Sequence, residues 1–297
     1  MKVAVTGSSG LIGTALVAAL RTDGHEVIRL VRTAPAAADA IAWDPHADRG
    51  GLDPRSLDGV VAVVHLAGAG LADRRWTPGY QAEIRDSRVR GTRALAGALA
   101  AMATPPRVLL SGSAIGWYGD TGGRKVTESD PAGSGFLSEV VRDWEAAAAD
   151  AARAGIRVVT LRSGVVLSPK GGMLGRLLPL FRLGAGGRIG TGRQVMSWIG
   201  LSEWVAAARF LLGRDDISGP VNLTTPSPVS NAEFTSALAA AVHRRAVLLL
   251  PVPALRLAVG GVSSDILSSA RVLPRRLLDE GYRFRHPAIA GALAAEL

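Results

Sequence analysis

The first 165 residues alternate between short unbroken apolar runs and longer stretches whose apolar positions recur with the period of a helix. The runs at 2–6, 26–31, 60–66, 107–110 and 156–161 show no in-out alternation, which predicts parallel strands covered on both faces. The stretches at 11–21, 79–102 and 136–154 predict helices of crossover length. Strand and helix in regular alternation predict the α/β class, with a doubly wound parallel sheet. Beyond residue 165 the pattern weakens into glycine-rich turns and proline-bounded pieces. The expected organisation is a main domain over 1–165, its sheet completed by later segments, and a smaller C-terminal lobe over 166–297 that holds substrate.

The first strand runs into Gly7-Ser8-Ser9-Gly10-Leu11-Ile12-Gly13, and a helix follows at once. Glycines at this spacing let the turn bend, let backbone N–H groups reach a diphosphate, and let the helix approach its strand. In that setting the loop predicts a Rossmann dinucleotide site with Gly7, Ser9, Gly10, Leu11, Ile12 and Gly13 against the cofactor. Cofactor choice is read at the end of the second strand, where an acid would bind the ribose of NAD and an arginine the 2'-phosphate of NADP. Arg32 stands there and no acid follows it before Asp39, so the expected cofactor is NADP(H). The strand ends at Gly7, Arg32, Ala67, Ser111, Ser113 and Gly164 all point to one crevice, where such sheets bind ligands.

Composition narrows the chemistry. The 297 residues include no cysteine, which removes disulfides, thiolate metal sites and cysteine nucleophiles. The net charge of +9 comes from arginines spread along the chain, with lysine only at Lys2, Lys125 and Lys170, so no nucleic-acid partner is expected. His25, His46, His65, His243 and His286 lack paired ligand spacing, and no metal is expected; His65, inside an apolar run, reads as a core histidine. No apolar stretch approaches about 18 residues and no leader pattern precedes the first strand, so a cytoplasmic protein without a membrane partner is expected.

The glycine loop, Leu66-Ala67-Gly68, and Ser113 followed by Tyr118-Gly119 resemble the extended short-chain dehydrogenase/reductases of the NAD-dependent epimerase/dehydratase superfamily. Arg75-Trp76, Asp86-Ser87-Arg88, the run Ser111 to Gly119, Asp143-Trp144-Glu145, Arg162 to Ser168, Ser197-Trp198-Ile199 and Ala270 to Pro274 narrow the resemblance. They match the atypical "epimerase family protein" subgroup, which carries a C-terminal region of unknown role. The resemblance implies Leu66, Ala67, Gly68, Glu83, Arg88 and Val165 as cofactor contacts, Ser113 as the active-site serine, and a homodimer paired through helices that flank the sheet. It also exposes a departure. The wider family transfers a proton through a Tyr-x-x-x-Lys pair, and here the helix reads Phe136 to Val140; its asparagine is replaced by Arg88. Tyr118 is the spare phenol for proton transfer, or else an aromatic wall of the pocket. Arg74, Arg75 and Trp76 could clamp an anionic or flat substrate group, and Arg193, Ser197 and Trp198 resemble the region where the wider family holds substrate. Two readings stay open: an NADP-dependent oxidoreductase or epimerase acting on a small polar molecule, and a catalytically silent NADP(H)-binding regulator.

Overall fold

The computed structural model describes residues 1–33, 37–47, 51–253, 261 and 267–297. Its centre is a sheet of seven strands: β1 (Lys2–Thr6), β2 (Glu26–Val31), β3 (Ala40–Ala42), β4 (Ala62–His65), β5 (Val108–Ala114), β6 (Arg157–Ser163) and β7 (Gly219–Leu223). The spatial order is β3-β2-β1-β4-β5-β6-β7 with every neighbouring pair parallel, the arrangement of a doubly wound Rossmann sheet. The α-helices bounded among the described residues are α1 (Leu11–Thr22), α2 (Pro78–Ala100), α3 (Phe136–Ala146), α4 (Ala149–Arg153), α5 (Gly172–Arg182), α6 (Leu201–Leu212), α7 (Asn231–Ala241), α8 (Arg275–Asp279) and α9 (Ile289–Glu296).

Why these runs lack alternation is visible in where successive residues go. Val3 and Val5 face a core shared with Leu16 and Leu20 of α1 and Trp204 and Leu211 of α6. Ala4, between them, faces the opposite core, with Leu95 and Leu99 of α2 and Ala151 of α4. A strand that feeds two cores must be apolar at every position. A third cluster gathers Leu174 and Phe181 of α5, Phe234 and Leu238 of α7 and Leu293 of α9 around Trp198. No helix among the described residues is long and apolar enough to cross a membrane.

The structure departs from the sequence pattern in three places. Two further strands, β3 and β7, lie at the sheet edges; β7 opens with Gly219-Pro220, a loop signal, and an edge strand tolerates the N–H that proline lacks. The stretch 136–154 is two helices, with Ala147 and Ala148 buried at the turn between them. β5 and β6 run on to Ala114 and Ser163, so residues that read as post-strand turns are strand residues.

Candidate functional site

The phosphate end is built from backbone. Gly7 has φ +63°, a left-handed conformation costly for any side chain. A Cβ on Gly7 would lie 2.7 Å from the Leu66 carbonyl, and one on Gly13 would lie 2.2 Å from the Gly7 carbonyl oxygen. The loop is therefore a cradle closed to side chains, with strand and helix at contact distance. Gly10 is the N-cap of α1 and no side chain caps the helix, leaving its first-turn amides and the positive end of its dipole for an anion. Ser9 and Gly10 are exposed, and Leu11 and Ile12 are half-buried beside them. A diphosphate fits this set.

Arg32 is exposed just past β2 and makes no side-chain bond with the described residues. Asp39, the first acid after Arg32 in the sequence, is held by Arg29 through a two-pronged contact (Nε to Oδ2 3.0 Å, a terminal nitrogen to Oδ1 2.7 Å), and Arg21 joins it. The Arg29 hydrogen bond holds Asp39 below its usual range. A carboxylate so neutralised does not oppose a second anion beside Arg32.

At the end of β4, the Thr6 hydroxyl accepts the amides of Leu66 (3.0 Å) and Ala67 (3.1 Å). Its own proton then goes to Nδ1 of His65 at 2.7 Å, which leaves the ring proton on Nε2, 2.9 Å from the Thr92 hydroxyl of α2. Burial pushes the His65 pKa down to about 4, so the ring is a neutral strut between β1 and α2. Arg88 of α2 lies against Gly68, donates to the Ile84 carbonyl at 3.0 Å and stacks over Trp144 at 5.1 Å. Burial lowers its pKa to about 10, and among the described residues no carboxylate pairs with it, so its guanidinium has capacity for an anion or hydroxyl in the crevice. Glu83, one turn earlier, is exposed and pairs with Arg74 at 3.6 Å.

The reaction end is a buried chain of side chains. Register places Ser113 of β5 beside Arg162 of β6, and Arg162 beside Asn222 of β7. The Ser113 hydroxyl donates to Glu145 Oε1 at 2.6 Å, and Arg162 grips both oxygens of that carboxylate at 2.8 and 3.0 Å. A further Arg162 nitrogen donates to the Tyr118 hydroxyl at 3.0 Å, which donates onward to Asn222 Oδ1 at 2.8 Å. Asn222 donates its side-chain amide to the Leu273 carbonyl and its backbone N–H to Glu128. The guanidinium also stacks on Trp117 at 3.9 Å. Burial would lower the Arg162 pKa, but hydrogen bonding to Glu145 outweighs it and holds the pKa above its ordinary value. Tyr118 is buried, its pKa is pushed up to about 12, and its proton is spent on Asn222.

Phe136 and Val140, in place of the tyrosine and lysine, join an apolar cluster with Trp76, Tyr80 and Ile84; the Trp76 and Phe136 rings meet edge to face at 5.5 Å. The indole of Trp76 is thus packed away, its N–H on the Leu71 carbonyl, while Arg74 and Arg75 are exposed. Ser197 is a buried staple to Ala270 and Val272, and Trp198 sits in the third core. Arg193 lines a separate hollow of about 440 Å³ with Asp120, Thr191 and Gln194, which none of the Ser113 cluster enters. Val165 pairs with Trp198 beyond the end of β6. Sequence reasoning missed the roles of Glu145, Arg162 and Asn222.

With this geometry in hand, similarity to known proteins is specific. The model of the NAD dependent epimerase/dehydratase family matches residues 3–223, and that of a domain of unknown function, DUF1731, matches 250–296. An epimerase family protein of Mycobacterium bovis is 47% identical over 292 residues, 98% of this chain and 96% of its own. The human epimerase family protein SDR39U1 is 36% identical over 297 residues, 99% of this chain and 98% of its own. The crystal structure of the human protein (isoform 2) with NADPH aligns with a TM-score of 0.91 at 35% identity, covering 100% of this chain and 99% of that one. A match across three quarters of the chain, with full-length relatives more than 30% identical, makes the conclusion plain: the chain belongs to the NAD dependent epimerase/dehydratase family.

Proposed function

We infer that this protein binds NADP(H) and acts as an oxidoreductase or epimerase on a small polar molecule, through a reaction end that lacks the Tyr-x-x-x-Lys pair. The observation that carries the cofactor is the side-chain-free cradle at Gly7 and Gly13, opening on an uncapped helix with Arg32 unengaged beyond it. The human relative crystallised with NADPH supports the same reading. Gly7 and Ser9 to Gly13 hold the diphosphate, Arg32 the 2'-phosphate, and Leu66, Ala67, Gly68, Arg88 and Val165 border the remainder. When bound, the nicotinamide supplies or accepts a hydride. Ser113 meets the substrate oxygen, while Tyr118 braces Arg162 from beneath.

The apolar packing of Phe136 and Val140 favours a second reading, in which the cofactor is bound and nothing is turned over. Turnover of any carbonyl by the purified protein with NADPH separates the two.

Cofactor choice is tested by calorimetry on the wild type and Arg32→Ala. The substitution should weaken NADPH by about ten- to hundredfold, the worth of a charge-assisted contact, and leave NADH within about threefold. Equal losses for the two cofactors, or no binding by the wild type, would overturn the assignment.

A further inference from the structure

We propose that Ser113 and Glu145 form a two-step proton relay that takes over the work of the absent tyrosine and lysine, with Arg162 as its positioning residue. This rests on the oxidoreductase reading above. Ser113 is the last buried residue at the carboxyl end of β5, the end where such sheets bind ligands, and its hydroxyl is already aimed at a carboxylate oxygen 2.6 Å away. That is the separation of a strong charge-assisted hydrogen bond, along which a proton moves with little rearrangement. Arg162, almost wholly buried, fixes both oxygens of Glu145 and is itself fixed by Tyr118 and Trp117, so the carboxylate cannot rotate away from Ser113. Glu145 keeps about an eighth of its side chain exposed, which gives the relay an outlet to solvent that the rest of the cluster lacks. Arg162 on β6 contacts its carboxylate directly, and Arg88 on α2 stacks over the preceding residue, Trp144.

In the oxidative direction the substrate O–H bond breaks and its proton joins Ser113 Oγ, while the proton of Ser113 passes to Glu145 Oε1. The electron pair of the carbinol C–H bond leaves as hydride to the oxidised nicotinamide, a carbonyl forms, and Glu145 releases its proton to water. Reduction runs each of these bonds in reverse, with Glu145 first taking a proton from water.

Three measurements test the relay on the full chain. In the protein without cofactor, proton magnetic resonance should show a low-field hydroxyl signal that disappears in both Ser113→Ala and Glu145→Gln and persists in Ser113→Thr. With NADPH and para-nitrobenzaldehyde, diacetyl and phenanthrenequinone as probes, Ser113→Ala and Glu145→Gln should each lower kcat by about 10²- to 10⁴-fold with KM nearly unchanged. Ser113→Thr should rescue most of it. The wild-type rate should fall in mixtures of light and heavy water along a curve that reports two protons in flight, straightening in Ser113→Ala. Ser113→Ala leaves the Glu145–Arg162 pair intact, so it remains informative if Glu145→Gln misfolds. A kcat in Ser113→Ala within about threefold of the wild type, or a missing low-field signal, overturns the relay while the oxidoreductase reading stands. Absence of turnover by wild type that binds NADPH overturns both.

Discussion

The two ends of the crevice are built on opposite principles. At the phosphate end seven consecutive residues make a cradle from backbone, and the side chains matter mainly by their absence at Gly7 and Gly13. At the reaction end Ser113, Tyr118, Glu145, Arg162 and Asn222 come from three strands, a helix and a turn, and meet entirely through side chains. A backbone site fails at one position and tolerates change beside it. A buried charged network fails wherever a member is removed, because the partner left behind is desolvated and unpaired.

The largest expected effect therefore lies at the reaction end. Arg162→Met strands the Glu145 carboxylate, and Glu145→Gln strands the guanidinium. Each should cost about 3–5 kcal/mol in denaturant unfolding. The double variant Glu145→Gln/Arg162→Met should recover most of that loss, since neither charge then remains. Additive losses would mean that the pair is not coupled and would erase the contrast between the two ends.

Next comes acid. His65 is neutral in the folded protein, with its pKa lowered from 6.5 to about 4, so the unfolded chain binds the extra proton first. A depressed histidine contributes stability that is fully present above the unfolded value and drains away as pH falls from about 6.5 to about 4. The loss over that window is about 3 kcal/mol and levels off below it. His65→Asn should flatten the slope in urea midpoints measured across that range, at a constant cost from the lost strut between Thr6 and Thr92.

At the phosphate end, Gly13→Ala drives a methyl to 2.2 Å from the Gly7 carbonyl oxygen and must shift the loop. NADPH and NADH should both weaken by about a hundredfold in calorimetry, near 2.7 kcal/mol, with folding retained. Ser9→Ala, at an exposed position in the same loop, should stay within about threefold. A large effect at Ser9 would show that the cradle depends on side chains after all.

The same contrast explains what was legible in the sequence. The cradle is local, and its glycine spacing between strand and helix is its own signature; the parallel, doubly wound class followed from unbroken apolar runs alternating with helices. Arg162 and Asn222 were hidden because their neighbours are set by register across β5, β6 and β7, which no spacing along the chain encodes. Polar residues at the ends of β5 and β6 also read as turns, although buried partners satisfy them inside the sheet. Glu145 carries no role within the Asp143-Trp144-Glu145 run alone, because the partner that defines it, Arg162, comes from a strand 17 residues on. β7 was masked by Gly219-Pro220, tolerable only because that strand is an edge.

The smallest expected effect marks the border of the cofactor site. Family resemblance implies Glu83 as a contact, yet its carboxylate is about half exposed and faces Arg74 at 3.6 Å, an ion pair mostly in water. Pairs of that kind contribute about 0–1 kcal/mol, because solvent screening and lost side-chain freedom offset the attraction. Glu83→Gln should therefore leave the unfolding midpoint almost unchanged and NADPH affinity within about threefold, set against the large loss at Gly13. A drop of about tenfold or more in NADPH affinity, with stability unmoved, would extend the cofactor site along α2 from Arg88 to Glu83 and make that ion pair part of the binding surface.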